Sequence, residues 1–179
     1  MMKKQTNLLT LSAILIFAMA TLNSCSKNKN DSGTDSGYYM KFKVDGKQVQ
    51  YPIAGITVSD SLIAGFAYGG GASGAPFDGS QGLDLVFYSL TPIKAGDSFS
   101  GTDILGGALP AGSIAYLPSL TSSTYESITP QLNSKVSITI TEITSEYAKG
   151  IFSGTVHDND GSGTNSKAIT NGEFYAKRQ

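Results

Sequence analysis

The chain has 179 residues, with 13 basic and 14 acidic side chains, one histidine, one cysteine and no tryptophan. An acidic isoelectric point of about 5.7 argues against a nucleic-acid surface. A lone cysteine excludes an intramolecular disulfide, and one thiol with one imidazole is too few soft ligands for a structural zinc site.

Lys3 and Lys4 begin a charged segment, and residues 8–22 form an apolar run broken only by Thr10, Ser12 and Thr21. That layout is an export signal over residues 1–24. The run of roughly 15 residues falls short of the ~20 that cross a bilayer as a helix. Leu22-Asn23-Ser24-Cys25 resembles a bacterial lipobox. The resemblance implies that the Cys25 thiol receives a diacylglycerol, that the signal is cut before it, and that the new amino terminus is acylated. Two or more acyl chains anchor stably where one does not, at ~0.8 kcal/mol per buried methylene. Membrane lipid, held through acylated Cys25, is therefore the first expected partner.

Residues 26–37 contain no apolar side chain. They cannot offset their ordering entropy by burial, so residues 25–37 read as a lipidated cysteine followed by a disordered tether. Such a stretch reaches at most ~40 Å extended and about 20 Å as a coil. Without residues 1–24 the chain keeps 11 basic and 14 acidic side chains, a formal charge of −3.

Residues 38–179 are enough for a single domain with its own core. Glycine, serine, threonine and tyrosine are abundant and no long helical apolar period occurs, so strands are predicted throughout. In residues 38–44 the alternation puts Tyr38, Met40, Phe42 and Val44 on one face, with Tyr39, Lys41 and Lys43 on the other. Asp45-Gly46 then predicts a hairpin turn with residues 47–51 returning. Residues 56–60 and 61–68 are expected to form the next pair, and the glycine-rich residues 69–82 a loop. Leu83, Leu85 and Phe87 face inward from residues 83–88. Residues 91–122 carry prolines and glycines and hold only short candidates at 98–101 and 113–117. Residues 135–144 give the strongest strand, with Val136, Ile138 and Ile140 inward. Residues 146–157 return with Ala148, Gly150, Phe152, Gly154 and Val156 inward, the small residues permitting close approach of two sheets. Residues 169–177 close the domain. The fold class is all-β: an antiparallel β-sandwich or flattened barrel of about 8–10 short strands.

Three stretches, Phe42-Lys43-Val44-Asp45-Gly46-Lys47, residues 136–143 with Gly150-Ile151-Phe152-Ser153-Gly154, and Ile169-Thr170-Asn171-Gly172-Glu173-Phe174, resemble the short all-β lipoproteins of Bacteroidota bacteria, a domain-of-unknown-function family. The resemblance implies an envelope location, on the outer membrane with the periplasmic or surface face open. It implies no activity and transfers no catalytic residue.

Catalytic chemistry finds little to build on. His157 borders Asp158-Asn159-Asp160-Gly161-Ser162-Gly163 and reads as an exposed loop histidine, and no Gly-x-Ser-x-Gly elbow occurs. The same loop lacks the terminal Glu of a calcium loop, Lys167 standing in its place, so a plain turn is expected and no metal or cofactor is assigned. Glu142 keeps the inward phase of Val136, Ile138 and Ile140, and a bulge near Thr141 would rotate it outward. No pair of facing carboxylates for a glycosidase emerges from the spacing.

Two functional readings follow. The first is a lipid-anchored envelope domain with a binding, interaction or structural role toward an unidentified envelope protein or glycan. The alternative is a small periplasmic or surface hydrolase or carbohydrate-active accessory protein. Tyr88, Tyr147 and Tyr175, opposite in parity to Phe87, Phe152 and Phe174, form the candidate interaction surface. Isolated surface tyrosines, or burial of these rings beneath a loop such as residues 69–82, is the competing expectation.

Overall fold

The computed structural model describes residues 37–62, 67–100, 109–127, 134–158 and 164–179. The expected export signal, Cys25 and almost all of the tether lie outside the described residues, as do 63–66 and 159–163 of the predicted strand and loop.

Among the described residues eleven strands follow one another in chain order: β1 (Tyr39–Val44), β2 (Lys47–Tyr51), β3 (Ile53–Val58), β4 (Tyr68–Ala75), β5 (Gly82–Ser89), β6 (Ser98–Ser100), β7 (Ala111–Leu117), β8 (Tyr125–Glu126), β9 (Val136–Ile143), β10 (Tyr147–Asp158) and β11 (Ser166–Arg178). No helix occurs among the described residues, and the chain is all-β. The long β10 and β11 organise the rest. β11 pairs with β10 along one edge and with β1 along the other, then adds a short parallel contact from Lys177 and Arg178 to Gly55 and Ile56 of β3. β10 pairs with β9 for most of its length and with β8 at its end. The pairings therefore close a ring, β11-β3-β4-β5-β7-β8-β10, with β1 and β2 extending one side and β9 and β6 the other. Among the described residues the only departure from antiparallel pairing is the β11–β3 contact.

The ring is flattened into two walls, β2-β1-β11-β10-β9-β6 and β3-β4-β5-β7-β8. Phe87 of one wall stacks on Phe99 of the other with centroids 4.9 Å apart, and Phe42 meets Tyr116 edge-on at 6.0 Å. Strand alternation fills the space between the walls: Met40, Phe42, Leu83, Leu85, Phe87, Ile114, Ile138, Ile140, Ile169 and Phe174 are all 2% exposed or less. The hairpin turn follows the expected chemistry, with Asp45 and Gly46 at φ of 49° and 83°, the left-handed pair that matches strand twist. Asp45 also accepts the Ala168 amide at 2.9 Å, stapling the turn to β11.

Three sequence expectations are corrected. Residues 69–82 are not one loop, because Tyr68–Ala75 is a full strand. Its glycines are where neighbours come too close for a side chain: a Cβ at Gly70 would strike the Phe87 ring, and one at Gly74 would lie 2.8 Å from Met40 Cβ. Conversely, Ser61 and Leu62 are not in a strand. Tyr38 precedes β1 and does not share the inward face of Met40, for its ring packs on Tyr175, 4.8 Å between centroids. Of the glycines of β10, Gly154 receives a side chain of the opposite wall as expected, Ile114 lying 3.0 Å from an added Cβ, whereas Gly150 is covered by Phe174 of the adjacent strand.

Candidate interaction face

The alternation that sends Phe42, Phe152 and Phe174 inward sends Tyr39, Lys41, Lys149, Ile151, Glu173 and Tyr175 outward on the same wall. Register sets them in rows. Tyr39 lies beside Tyr175, Tyr175 beside Lys149, and Lys149 beside Glu142; the next row runs Lys41, Glu173, Ile151, Thr139. Two irregularities make the rows possible. The β9–β10 register shifts so that Ile140 faces Gly150 while Glu142 faces Lys149, which leaves Thr141 as the extra residue and turns Glu142 outward against its inward parity, as a bulge near Thr141 was expected to do. On β11 the register shifts beside Asn171, whose φ of 51° is a left-handed conformation that asparagine tolerates.

Tyr175 is the hub. Tyr147 meets it edge-on at 5.1 Å and Tyr39 at 6.4 Å, and Tyr38 tilts against it. The Lys149 ammonium sits between two of these rings, 5.2 Å from the Tyr147 centroid and 5.3 Å from that of Tyr175, and donates to Glu142 Oε2 at 2.7 Å. The Tyr147 hydroxyl donates to Glu142 Oε1 at 2.5 Å. In the neighbouring row Lys41 donates to Glu173 Oε1 at 2.7 Å. Ile151, 54% exposed, stands beside Glu173 in that row.

These contacts move the pKa values of Glu142, Glu173, Lys41, Lys149 and Tyr147 further from neutral pH. The Lys149 ammonium, and next the Tyr147 hydroxyl, hold Glu142 below the usual carboxylate range. Lys41, then partial burial opposing it and the Tyr39 hydroxyl aiding it, gives Glu173 the same direction. Lys149 and Lys41 are raised by the carboxylates they bind, and Tyr147 is raised by its bond to Glu142. At neutral pH the face is a fixed pattern of ammonium, carboxylate and phenol. A general acid or base needs a pKa near the working pH, and the shifts here run the other way.

The other expected residues fall elsewhere. Tyr147 and Tyr175 come together, whereas Tyr88 lies on β5 of the opposite wall, beside Gly69 and Ala111. Sequence reading missed Tyr38, Tyr39 and Lys149 as members of the cluster; outward parity marked Tyr39 and Lys149, but only strand order reveals that Lys149 stands between Tyr147 and Tyr175. His157 is corrected from a loop residue to a residue of β10, paired with Ser166 and Glu126 and only partly exposed, its Nδ1 buried without a hydrogen-bond partner. Asp158, also in β10, is 5% exposed and accepts the Asn165 amide at 2.6 Å. A cleft of about 190 Å³ lies among Val58, Asp60, Ile93, Thr144 and Arg178. There the guanidinium donates to Asp60 at 3.0 Å and to the Thr144 carbonyl at 3.1 Å, tying the end of β11 to the residues after β3 and to the β9–β10 turn. Among the described residues no group of three or more His, Cys, Asp or Glu side chains gathers as for a metal ion. Comparison with family models, with curated proteins and with solved structures finds no match to this chain.

Proposed function

We propose that this protein is a lipid-anchored domain of the bacterial envelope that works by binding, with the tyrosine and lysine face of β1, β11, β10 and β9 as its contact surface. The observation that carries the reading is the cluster of Tyr38, Tyr39 and Tyr147 packed around Tyr175, with Lys149 over the Tyr147 and Tyr175 rings. Aromatic rings with polar tips give large contact area at low entropic cost. Ionised groups locked in pairs give the surface a set charge pattern, which favours recognition over proton transfer. The lipobox-like Leu22-Asn23-Ser24-Cys25 and the polar residues after it support anchoring.

The test is a photo-crosslinking amino acid placed at Tyr175 and, separately, at Tyr88, in cells carrying the full chain. Adducts to an envelope component from position 175 and none from position 88 support the reading. Equal adducts from both walls, or none from either, remove the face as a contact surface.

A further inference from the structure

We infer that the partner of the tyrosine and lysine face is the anionic lipid surface to which the chain is tethered; the inference rests on the anchored reading above. Three observations converge. The first is where the folded chain begins: Tyr38 follows the polar stretch directly, and its ring is part of the cluster. The face thus stands at the point where the anchor arrives. The residues from Cys25 to Tyr38 span at most ~40 Å, so the face meets the membrane at an effective concentration in the millimolar range. Weak contacts are enough under that condition.

The second is charge. The face carries Lys41, Lys43, Lys149 and Lys177 against Glu142 and Glu173, while the other described residues hold five basic and eight acidic side chains. The domain is therefore polarised, with its positive side on the tyrosine wall. An anionic surface attracts that side and repels the other within about a Debye length of ~10 Å.

The third is chemistry. Tyrosine places an apolar ring and a polar hydroxyl across a membrane interface, and lysine buries its stem while its ammonium meets headgroup phosphates. Exposed Ile151 adds apolar area in the same row.

The chain has no tryptophan, so a single introduced indole is a reporter without background. The lipidated mature protein carrying Tyr38→Trp, or Tyr175→Trp as a second reporter, is reconstituted in phosphatidylcholine vesicles with and without phosphatidylglycerol; Tyr88→Trp reports on the opposite wall. The expected result is a blue shift and quenching by brominated lipid for the Tyr38 and Tyr175 reporters in anionic vesicles, reversed by salt, with the Tyr88 reporter unmoved. Lys43→Glu or Lys177→Glu is expected to lower the docked-to-free ratio at least about fivefold each. A chain that pellets with anionic vesicles while the Tyr38 and Tyr175 reporters stay accessible to aqueous iodide overturns docking and leaves the anchor standing. A chain that washes off the vesicles overturns the anchor and the inference together. A blue shift without lipid that grows with protein concentration assigns the face to a second copy and overturns the lipid partner.

Discussion

Gly150 and Phe174 are direct cross-strand partners, and the Phe174 ring occupies the space that a side chain at Gly150 would need. Two residues along, the roles reverse: Phe152 faces Gly172 and covers it. This exchange of ring and glycine locks β10 to β11 on the inner face, which keeps Tyr147, Lys149 and Tyr175 in register on the outer one.

Gly150→Ala should accordingly be costly. Its Cβ would strike Phe174 and lie 2.5 Å from the Thr139 carbonyl oxygen, and backbone cannot move aside as a flexible side chain can. Overpacking of this kind costs ~1–3 kcal/mol or more. Gly82→Ala is the control, since its nearest neighbour is the Gly74 carbonyl oxygen at 3.8 Å. It should stay within about 0.5 kcal/mol of the parent. Urea midpoints of the two variants decide the matter, and equal midpoints would remove the ring-on-glycine account.

Ile138 is fully buried between Phe99 of β6 and Phe152 of β10, whereas Ser137 beside it is exposed. Ile138→Asp places an unpaired charge in the core at a cost of several kcal/mol, against a total stability of ~5–15 kcal/mol. The domain should not fold. Ser137→Asp should retain the parent circular dichroism spectrum and melt within a few degrees of it.

Cys25→Ala should release the protein from the membrane fraction or leave an uncut precursor, because the polar stretch after it has too little apolar surface for anchoring. Fractionation with an antibody to the folded domain reads both outcomes. A correctly cleaved variant that stays tightly on the membrane at high salt would reject the acyl anchor.

The parts of this fold legible in the sequence are those governed by local chemistry. Period-two alternation placed Met40, Phe42, Leu83, Leu85, Phe87, Val136, Ile138, Ile140, Phe152 and Val156 inside, Asp45-Gly46 specified its turn, and the broken phase at Glu142 announced the bulge. β4 was hidden because Gly69, Gly70, Gly71 and Gly74 have no side chain to alternate; the space beside Gly70 and Gly74 is taken by Phe87 and Met40, distant in sequence. β8 is too short to carry a period, yet it completes the ring. The candidate face was half visible for the same reason. Outward parity marked Tyr147 and Tyr175 but gave Tyr88 equal standing, since parity says which face of a strand and not which wall. Pairing of β11 with both β1 and β10 separates them.

Asp84 supplies the last prediction. It projects from the face of β5 opposite Leu83 and Leu85, beside Ser73 and Ala115, and Ala115 is itself 7% exposed. Burial raises its pKa, and a hydrogen bond with Ser73 only partly opposes this. An acid whose folded pKa exceeds its unfolded value of ~3.9 destabilises the fold wherever it is ionised in both states. The cost is therefore full above the folded pKa. It shrinks as pH falls through that value and is gone below the unfolded one. Asp84→Asn keeps the shape and removes the charge, so it should raise the melting temperature at pH 7, with the gain fading steadily as the titration reaches pH ~3.5. Melting curves of both proteins across that range test the sign. A variant less stable than the parent at pH 7 would mean that the Asp84 carboxylate is held by favourable contacts that outweigh its desolvation.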